Sequence, residues 1–358
     1  MSLFGKLFKK EVKTKVPRGF FEVQIKQINR LTSNAVEVVF LIPKELKEEF
    51  KFTPGQYVNV CINIDGKEER RSYSICSDSS KDEIAIGVKE IDKGTVSKWF
   101  NQQAKENQTI LISKPEGRFT LTGKNVVAIA AGSGITPILS MAHEIEKSEG
   151  SSMTLLYANR TEQDILFRSK LDGFSNVIKH YYLTQETKEQ FRSGRITKES
   201  FIDFIKEDLS VLKADGFYIC GPEQMIFAVK EALEMFGVSA DKIHFELFNP
   251  STETKEVKKE IGNKFNGVSK VQIILDDEVH RFEMKSSKHI LDAAISQDID
   301  APYSCRGGVC STCRAKVIKG TVEMNLNYTL TDKEVADGYI LTCQSHPTSE
   351  ELIISYDE

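Results

Sequence analysis

Short apolar stretches recur through the first third of the chain. Residues 20–28, 35–41, 56–62, 71–76 and 83–88 are rich in Val, Ile, Tyr and Phe. Turn pairs such as Pro54-Gly55 and Asp65-Gly66 separate them, which is the pattern of short β-strands. A single helical pattern, 96–102, interrupts the series. Strands at this spacing predict an antiparallel barrel or sandwich. From Asn125 the pattern changes to alternation. Strand-like 126–131 leads through a Gly-rich turn into helical 138–146. Strand-like 153–157 and 177–183, helical 198–207, strand-like 216–220 and helical 223–236 follow. Such alternation predicts a parallel sheet covered on both faces. Residues 251–266 are rich in Ser, Thr, Glu, Lys and Gly, a linker composition. Strand-like 270–275 and 280–284 then restart the pattern, with Ser287 as a candidate N-cap before helical 289–297. No internal repeat is visible.

Length and composition narrow the picture. The 358 residues suggest two or three domains. The division expected is a tail at 1–17, a β-domain at 18–123, an α/β domain at 124–250, a linker at 251–266 and a last domain at 267–358. The net charge of −4 gives no sign of a nucleic-acid partner. The last domain carries 9 basic and 15 acidic residues, so an acidic docking face is one reading and a solvated face the other. The longest apolar runs, such as 126–131, fall far short of the roughly 20 residues of a membrane span. The basic start, with Leu3, Phe4, Leu7 and Phe8 among lysines, reads as a frayed tail rather than a signal peptide. A cytoplasmic location is therefore expected. Seven cysteines in a reducing compartment then call for a role other than disulfides.

That role is legible in their spacing. Cys305-x4-Cys310-x2-Cys313, followed after 29 residues by Cys343, has the plant-type [2Fe–2S] ligand spacing. Four thiolates hold two irons, and three of them sit on one short loop. Arg306-Gly307-Gly308 supplies backbone that bends and aims N–H groups at sulfur. Ser311 and Thr312 are small enough to leave a cluster near the surface. A four-cysteine zinc site is the competing reading, but zinc ribbons use two C-x2-C knuckles and this chain has one. Residues 267–358 resemble plant-type ferredoxins along nearly their whole length, which implies a β-grasp domain.

Further motifs lie upstream. Arg71-Ser72-Tyr73-Ser74, with Pro54-Gly55-Gln56-Tyr57 before it and the Gly94-Thr95-Val96-Ser97 turn after it, resembles the FAD-binding barrel of the ferredoxin–NADP reductase superfamily. The resemblance implies that Arg71 neutralises the FAD pyrophosphate, Tyr73 packs on the isoalloxazine, and Ser74 hydrogen-bonds near the reactive flavin nitrogen. It makes Gly94, Thr95, Val96 and Ser97 the second phosphate turn. The chemistry suits the residue types: a guanidinium for phosphate, an aromatic face for a flat ring, a hydroxyl that donates and accepts.

Gly132-Ser133-Gly134-Ile135-Thr136-Pro137 sits between a predicted strand and helix, where open N–H groups can meet a pyrophosphate. It matches the superfamily's nicotinamide turn and implies NAD(P) contacts at Gly132, Gly134, Thr136 and Pro137. Cys220-Gly221-Pro222 with Met225 matches a second turn, whose Cys borders the site of hydride transfer. A buried strand-end thiol is the plainer reading of Cys220. Arg160 and Arg195 match arginines that grip the 2′-phosphate of NADPH. The superfamily's Ser-Arg pair appears here as Thr184-Gln185, which removes one cation and leaves NADH open. The stretch 244–250 resembles the end of the reductase part of flavohaemoglobins, which implies that Glu246 and Phe248 lie near the flavin. Ser74, Cys220 and Glu246 are the candidate catalytic residues. Cys61, Cys76 and Trp99 read as core.

The order of barrel, nicotinamide domain and ferredoxin resembles the reductase components of ring-hydroxylating and epoxidising oxygenases. It implies a protein that passes a hydride's electrons from NAD(P)H through FAD and the cluster to an oxygenase component or another one-electron protein acceptor; a monomer is expected when free. The alternatives are a general ferredoxin- or flavodoxin-type NADPH reductase and a non-catalytic redox sensor.

Overall fold

A computed structural model describes residues 16–248, 265 and 267–358. The predicted tail and linker lie almost wholly outside the described residues.

β1 (Phe20–Thr32), β2 (Ala35–Leu41), β3 (Tyr57–Ile64), β4 (Lys67–Ser74), β5 (Glu83–Lys89) and β6 (Thr109–Ser113) form one antiparallel sheet in the order β4-β3-β6-β1-β2-β5. An Ile75–Ile86 bridge joins its two edges, which decides for the barrel over the sandwich. Alternate residues point inward, so Val23, Ile25, Val58, Val60 and Ile112 fill the centre. Helix α1 (Thr95–Gln102) plugs one end with Val96, Trp99 and Phe100. Cys61 and Cys76 are buried in the packing.

β7 (Asn125–Ala131), α2 (Ile135–Lys147), β8 (Ser152–Asn159), α3 (Arg168–Asp172), β9 (Val177–Leu183), β10 (Arg192–Ser193), α4 (Lys198–Glu207), β11 (Gly216–Cys220), α5 (Glu223–Met235) and β12 (Ile243–Glu246) follow. Their strands lie parallel in the order β10-β9-β8-β7-β11-β12. The near-continuous apolar runs of β7, β8 and β11 fit strands buried on both faces. The order reverses at β7, so a crevice opens where ligands bind in such sheets.

β13 (Val268–Leu275), β14 (Glu278–Lys285), α6 (Ile290–Ile295), β15 (Arg314–Lys319), β16 (Val322–Met324), α7 (Asp332–Ala336), β17 (Tyr339–Leu341), β18 (Ser345–Pro347) and β19 (Glu351–Ser355) make the last domain. Its mixed sheet runs β14-β13-β19-β15-β17, with Ile290, Leu291 and Ala294 of α6 packed on Val271, Ile273 and Ile354. Ser287 does not cap α6. His289 holds the N-cap position, without a side-chain capping bond, because buried Ile290 and Leu291 place the helix start.

Candidate active site

Strand pairing builds one wall of the central cleft. Tyr57 lies opposite Ser74 in the β3–β4 ladder, Val58 opposite Tyr73, and Asn59 opposite Ser72. Tyr57, Arg71, Ser72, Tyr73 and Ser74 line the cleft from this side, and Gly87, Lys89, Gly94, Val96 and Ser97 continue it. Ser133, Thr136, Glu246 and Phe248 come from the parallel-sheet domain, and Cys305, Val309 and Cys310 from the last domain. About 1060 Å³ here is free of protein atoms, part of it open to solvent. Thr95 opens α1 but does not line the cleft. Ser97 Oγ lies 3.3 Å from the Gly94 carbonyl, which stiffens the turn.

Arg71 donates to the Arg70 carbonyl at 2.7 Å and pairs with Glu69 at 3.1 Å. Tyr73 meets Phe100 edge to face with centroids 5.8 Å apart. Ser74 Oγ donates to Glu246 Oε2 at 3.1 Å. Burial pushes the Glu246 carboxyl up to about 7, and the Ser74 bond opposes that shift.

A second cleft opens at the switch point, with about 1810 Å³ free of protein atoms. Gly132, Ser133, Gly134, Gly221, Pro222 and Met225 line it, and so do Arg160, Arg195, Thr184, Gln185 and Lys198. Lys89 and Phe248 line both clefts and so mark where they join. Gly132 takes φ +55°, and a β-carbon on Gly134 would lie 2.1 Å from the Cys220 carbonyl oxygen. Glycine there lets the turn press against the end of β11. A 3-10 turn over Gly132–Gly134 leads into α2, whose Ile135 N–H bonds back to Gly132 and Ser133; the turn itself has no side-chain cap, so its own N–H groups are the ones open to an anion. Thr136 Oγ1 donates to the Ser133 carbonyl at 2.9 Å and holds this turn. Pro137 is buried in the first turn of α2 and lines neither cleft. Cys220 is 0 % exposed and lines neither cleft as well. Its thiol is pushed well up by burial, and its backbone pairs in register with Glu246.

All seven cysteines are free thiols. In the loop, Cys305 interacts with Cys310 and Cys313 with Cys343, so four sulfurs approach as two pairs. Among the described residues no three ligand-type side chains converge on a single point. Two pairs are what a two-iron centre uses, one per iron. The hydrogen bond with Cys310 brings the Cys305 thiol down to about 6. Gly307 N–H donates to Cys305 Sγ at 3.3 Å, and Gln344 Nε2 to Cys343 Sγ at 3.7 Å. The left-handed turns fall on Arg306, Gly308 and Ser311, so two side-chain-bearing residues share the bending expected of the glycines. These donors fit an electron-rich sulfur cluster. The adjoining cleft fits FAD: cations Arg71 and Lys89, the aromatics Tyr73 and Phe248, and the open N-terminus of α1.

The last domain is seated on the barrel by polar contacts around this loop. The Tyr57 hydroxyl donates to the Cys310 carbonyl and lies 3.2 Å from Thr312 Oγ1. The Ser72 hydroxyl lies 2.9 Å from that of Ser304. Arg70 pairs with Asp300 at 3.2 Å and stacks over Tyr303 at 4.4 Å, and Arg118 pairs with Glu334 at 2.6 Å. Sequence reasoning assigned no role to Tyr57, Lys89, Gly87 or Lys198. Tyr57 was in view as part of Pro-Gly-Gln-Tyr; nothing in the local pattern singles out the others.

Comparison with known proteins agrees with this architecture. The oxidoreductase FAD-binding domain family matches residues 22–121, the oxidoreductase NAD-binding domain family 128–231, and the 2Fe-2S iron-sulfur cluster binding domain family 273–348. The chain is 33% identical over 351 residues to a subunit of the 1,2-phenylacetyl-CoA epoxidase of Escherichia coli K12, covering 94% of this chain and 98% of that protein. It is 28% identical over 352 residues to the ferredoxin reductase component of 3-ketosteroid-9-alpha-monooxygenase of Rhodococcus rhodochrous, covering 95% and 99%. In fold it is similar to phthalate dioxygenase reductase, with TM-score 0.59, 22% identity and coverage of 94% and 98%. The chain therefore belongs to the ferredoxin–NADP reductase type of flavoproteins that carry a C-terminal [2Fe–2S] domain, and it is an NAD(P)H-dependent flavin and iron–sulfur oxidoreductase.

Proposed function

We propose that this chain is the reductase component of a multicomponent oxygenase, that it uses NADPH, and that a phenylacetyl-CoA epoxidase is its electron acceptor. The observation that carries the reading is the shared cleft: the R-x-Y-S strand, the nicotinamide turn and two cluster-loop cysteines line one space. The identity over nearly the full length of a protein from such an epoxidase supports the choice of acceptor. Flavin chemistry supplies the change from a two-electron hydride to single electrons.

The protein's part is binding and orientation. Arg71, Lys89 and the α1 turn would hold the FAD phosphates, and Tyr73 and Phe248 would face its ring. Ser74 and Glu246 present a hydroxyl and a carboxyl to the flavin edge. The Gly132–Gly134 turn and Gly221-Pro222, with Met225 beside them, bring the nicotinamide against it, while Cys220 supports that turn from behind. Arg160 and Arg195, with Lys198 beside them, face the adenosine end, where a 2′-phosphate would meet three cations and the opposing carboxylate of Glu199. Cys305 with Cys310 and Cys313 with Cys343 would hold the two irons, one pair to each. The expected compartment is the cytoplasm, where such thiols stay reduced.

The test is reconstitution. Purified protein is mixed anaerobically with NADPH, then with the oxygenase components of an epoxidase and their acyl-CoA substrate in air. Coupled NADPH oxidation and product formation are expected. Fast flavin bleaching without transfer to the oxygenase, but with transfer to a free ferredoxin or flavodoxin, would favour a general reductase. Absence of bleaching would rule out both.

A further inference from the structure

Tyr57 is 5 % exposed, yet its side chain reaches two places at once. Its ring lines the flavin cleft, and its hydroxyl donates to the main-chain carbonyl of Cys310 in the cluster loop. The ring is held rigidly. Tyr57 N–H donates to the Glu116 carbonyl and Glu116 N–H to the Tyr57 carbonyl, both at 2.8 Å. Gly117, at φ +111°, lets the ring come close to the backbone; a β-carbon there would sit 2.9 Å from it. Asn59, two residues along β3, places Nδ2 3.3 Å from Thr312 Oγ1. Opposite Asn59, the Ser72 hydroxyl donates to Asn59 Oδ1 at 2.8 Å and meets the Ser304 hydroxyl beside Cys305.

Buried Arg70 also crosses the seam, to Asp300 at 3.2 Å and over the Tyr303 ring, and anchors the stretch ahead of the cluster loop. Arg118–Glu334 and Arg18–Asp276 are ion pairs with exposed arginines, and such pairs contribute little and are screened by salt. Short directional bonds from a rigid strand are better suited to set where the loop stands. A donor on the Cys310 carbonyl also draws charge away from that ligand, and hydrogen bonding around a cluster is one of the factors that set its potential.

We propose that Tyr57, with Ser72 in support, is a positioning residue for internal electron transfer: its hydroxyl clamps the backbone of Cys310 and so fixes the cluster loop at the edge of the flavin cleft. The inference rests on FAD and the cluster both being bound as described above. Tyr57 is neither oxidised nor reduced. The hydride brings two electrons and a proton to the flavin; two single-electron transfers across the joint return the flavin to its oxidised form and release that proton.

The test uses the holoenzyme and Tyr57→Phe, which keeps the ring and removes the hydroxyl. Flavin bleaching by NADPH, which precedes this joint, is read in each protein as the reference rate for the cluster step. Bleaching of the cluster should slow by roughly fivefold to tenfold, the effect of one lost hydrogen bond on alignment. Redox titration should show the cluster potential lowered and the flavin potential unmoved, a signature that looser packing alone would not produce. Ser72→Ala should slow cluster reduction without moving either potential, since Ser72 touches no ligand residue. Should Tyr57→Phe fail to retain iron, an unchanged cluster rate in Ser72→Ala would overturn the proposal. An unchanged rate or an unchanged cluster potential in Tyr57→Phe with both cofactors bound would do so directly. Wild-type protein that binds neither FAD nor iron would overturn the reading of the site itself.

Discussion

Ser74 Oγ and Glu246 Oε2 stand 3.1 Å apart although 172 residues separate them in the chain. Ser74 ends β4 of the barrel and Glu246 ends β12 of the parallel sheet, so their hydrogen bond crosses the seam between the two domains. Both line the flavin cleft. In the function proposed above, the carboxyl stands where hydride transfer would change the local charge.

Burial pushes the Glu246 carboxyl up to about 7 from near 4.5. The folded protein thus keeps this proton to higher pH than the unfolded chain. The associated stability is fully present below about pH 4.5 and is lost as pH rises through about 7. Glu246→Gln has no proton to lose. Its melting temperature relative to wild type should therefore become more favourable from about pH 5 to pH 8. Flavin reduction should change through neutrality in the wild type and run flat there in the variant. Thermal unfolding and stopped-flow absorbance across that range check both, and a parallel pH course in the two proteins would contradict the assignment.

Cys310 is 6 % exposed and belongs to the loop facing the cleft. Cys310→Ser should disrupt the cluster and reduce transfer to one-electron protein acceptors to background. Hydride uptake by FAD should persist, since none of the residues around Gly132–Gly134 depends on that thiol. Anaerobic bleaching of the flavin, assayed beside reduction of a protein acceptor, separates the two steps. Undiminished protein reduction would contradict the wiring.

Arg160 and Arg195 line the dinucleotide cleft beside Thr184 and Gln185. Charge-assisted hydrogen bonds to a phosphate contribute about 1.5–3 kcal/mol each, which corresponds to roughly tenfold to hundredfold in affinity. Arg195→Leu and Arg160→Gln should each raise KM for NADPH by about that factor and leave KM for NADH nearly unchanged. Steady-state kinetics with both nucleotides decides it; equal effects on the two would remove the 2′-phosphate assignment.

Gly134 leaves no room for a β-carbon, which would meet the Cys220 carbonyl oxygen at 2.1 Å. Because that obstacle is backbone, Gly134→Ala should destabilise the parallel-sheet domain by about 1–3 kcal/mol, as overpacking does. It should also weaken nicotinamide binding more than FAD binding. Calorimetry and nucleotide titration read the two effects, and an unchanged melting temperature would show that the turn relaxes freely.

Local chemistry was legible in the sequence. Strands such as β2 and β9 follow from short runs of Val, Ile, Tyr and Phe, and helix α4 from its 3.6-residue apolar period. The Cys305–Cys313 spacing, the Arg71–Ser74 motif and the Gly132–Pro137 turn are each contained in one short segment, so their geometry is set by bonded neighbours. The N-cap expected at Ser287 falls instead at His289, because capping preference is weak beside the burial of Ile290 and Leu291. The short strands from β15 to β19 gave too few residues for a period to register.

The joints between segments belong to tertiary structure alone. No pattern near Tyr57 announces Cys310, and none near Lys89 announces that it lies where two clefts meet. Those meetings depend on strand register and on how the three domains pack, and the side chains involved carry no local periodicity. Chain order determined which cofactors and which nucleotide turn this protein carries. Only packing decided that the cysteine loop stands against the flavin cleft, because that contact is made by single hydrogen bonds and ion pairs between residues some 250 positions apart.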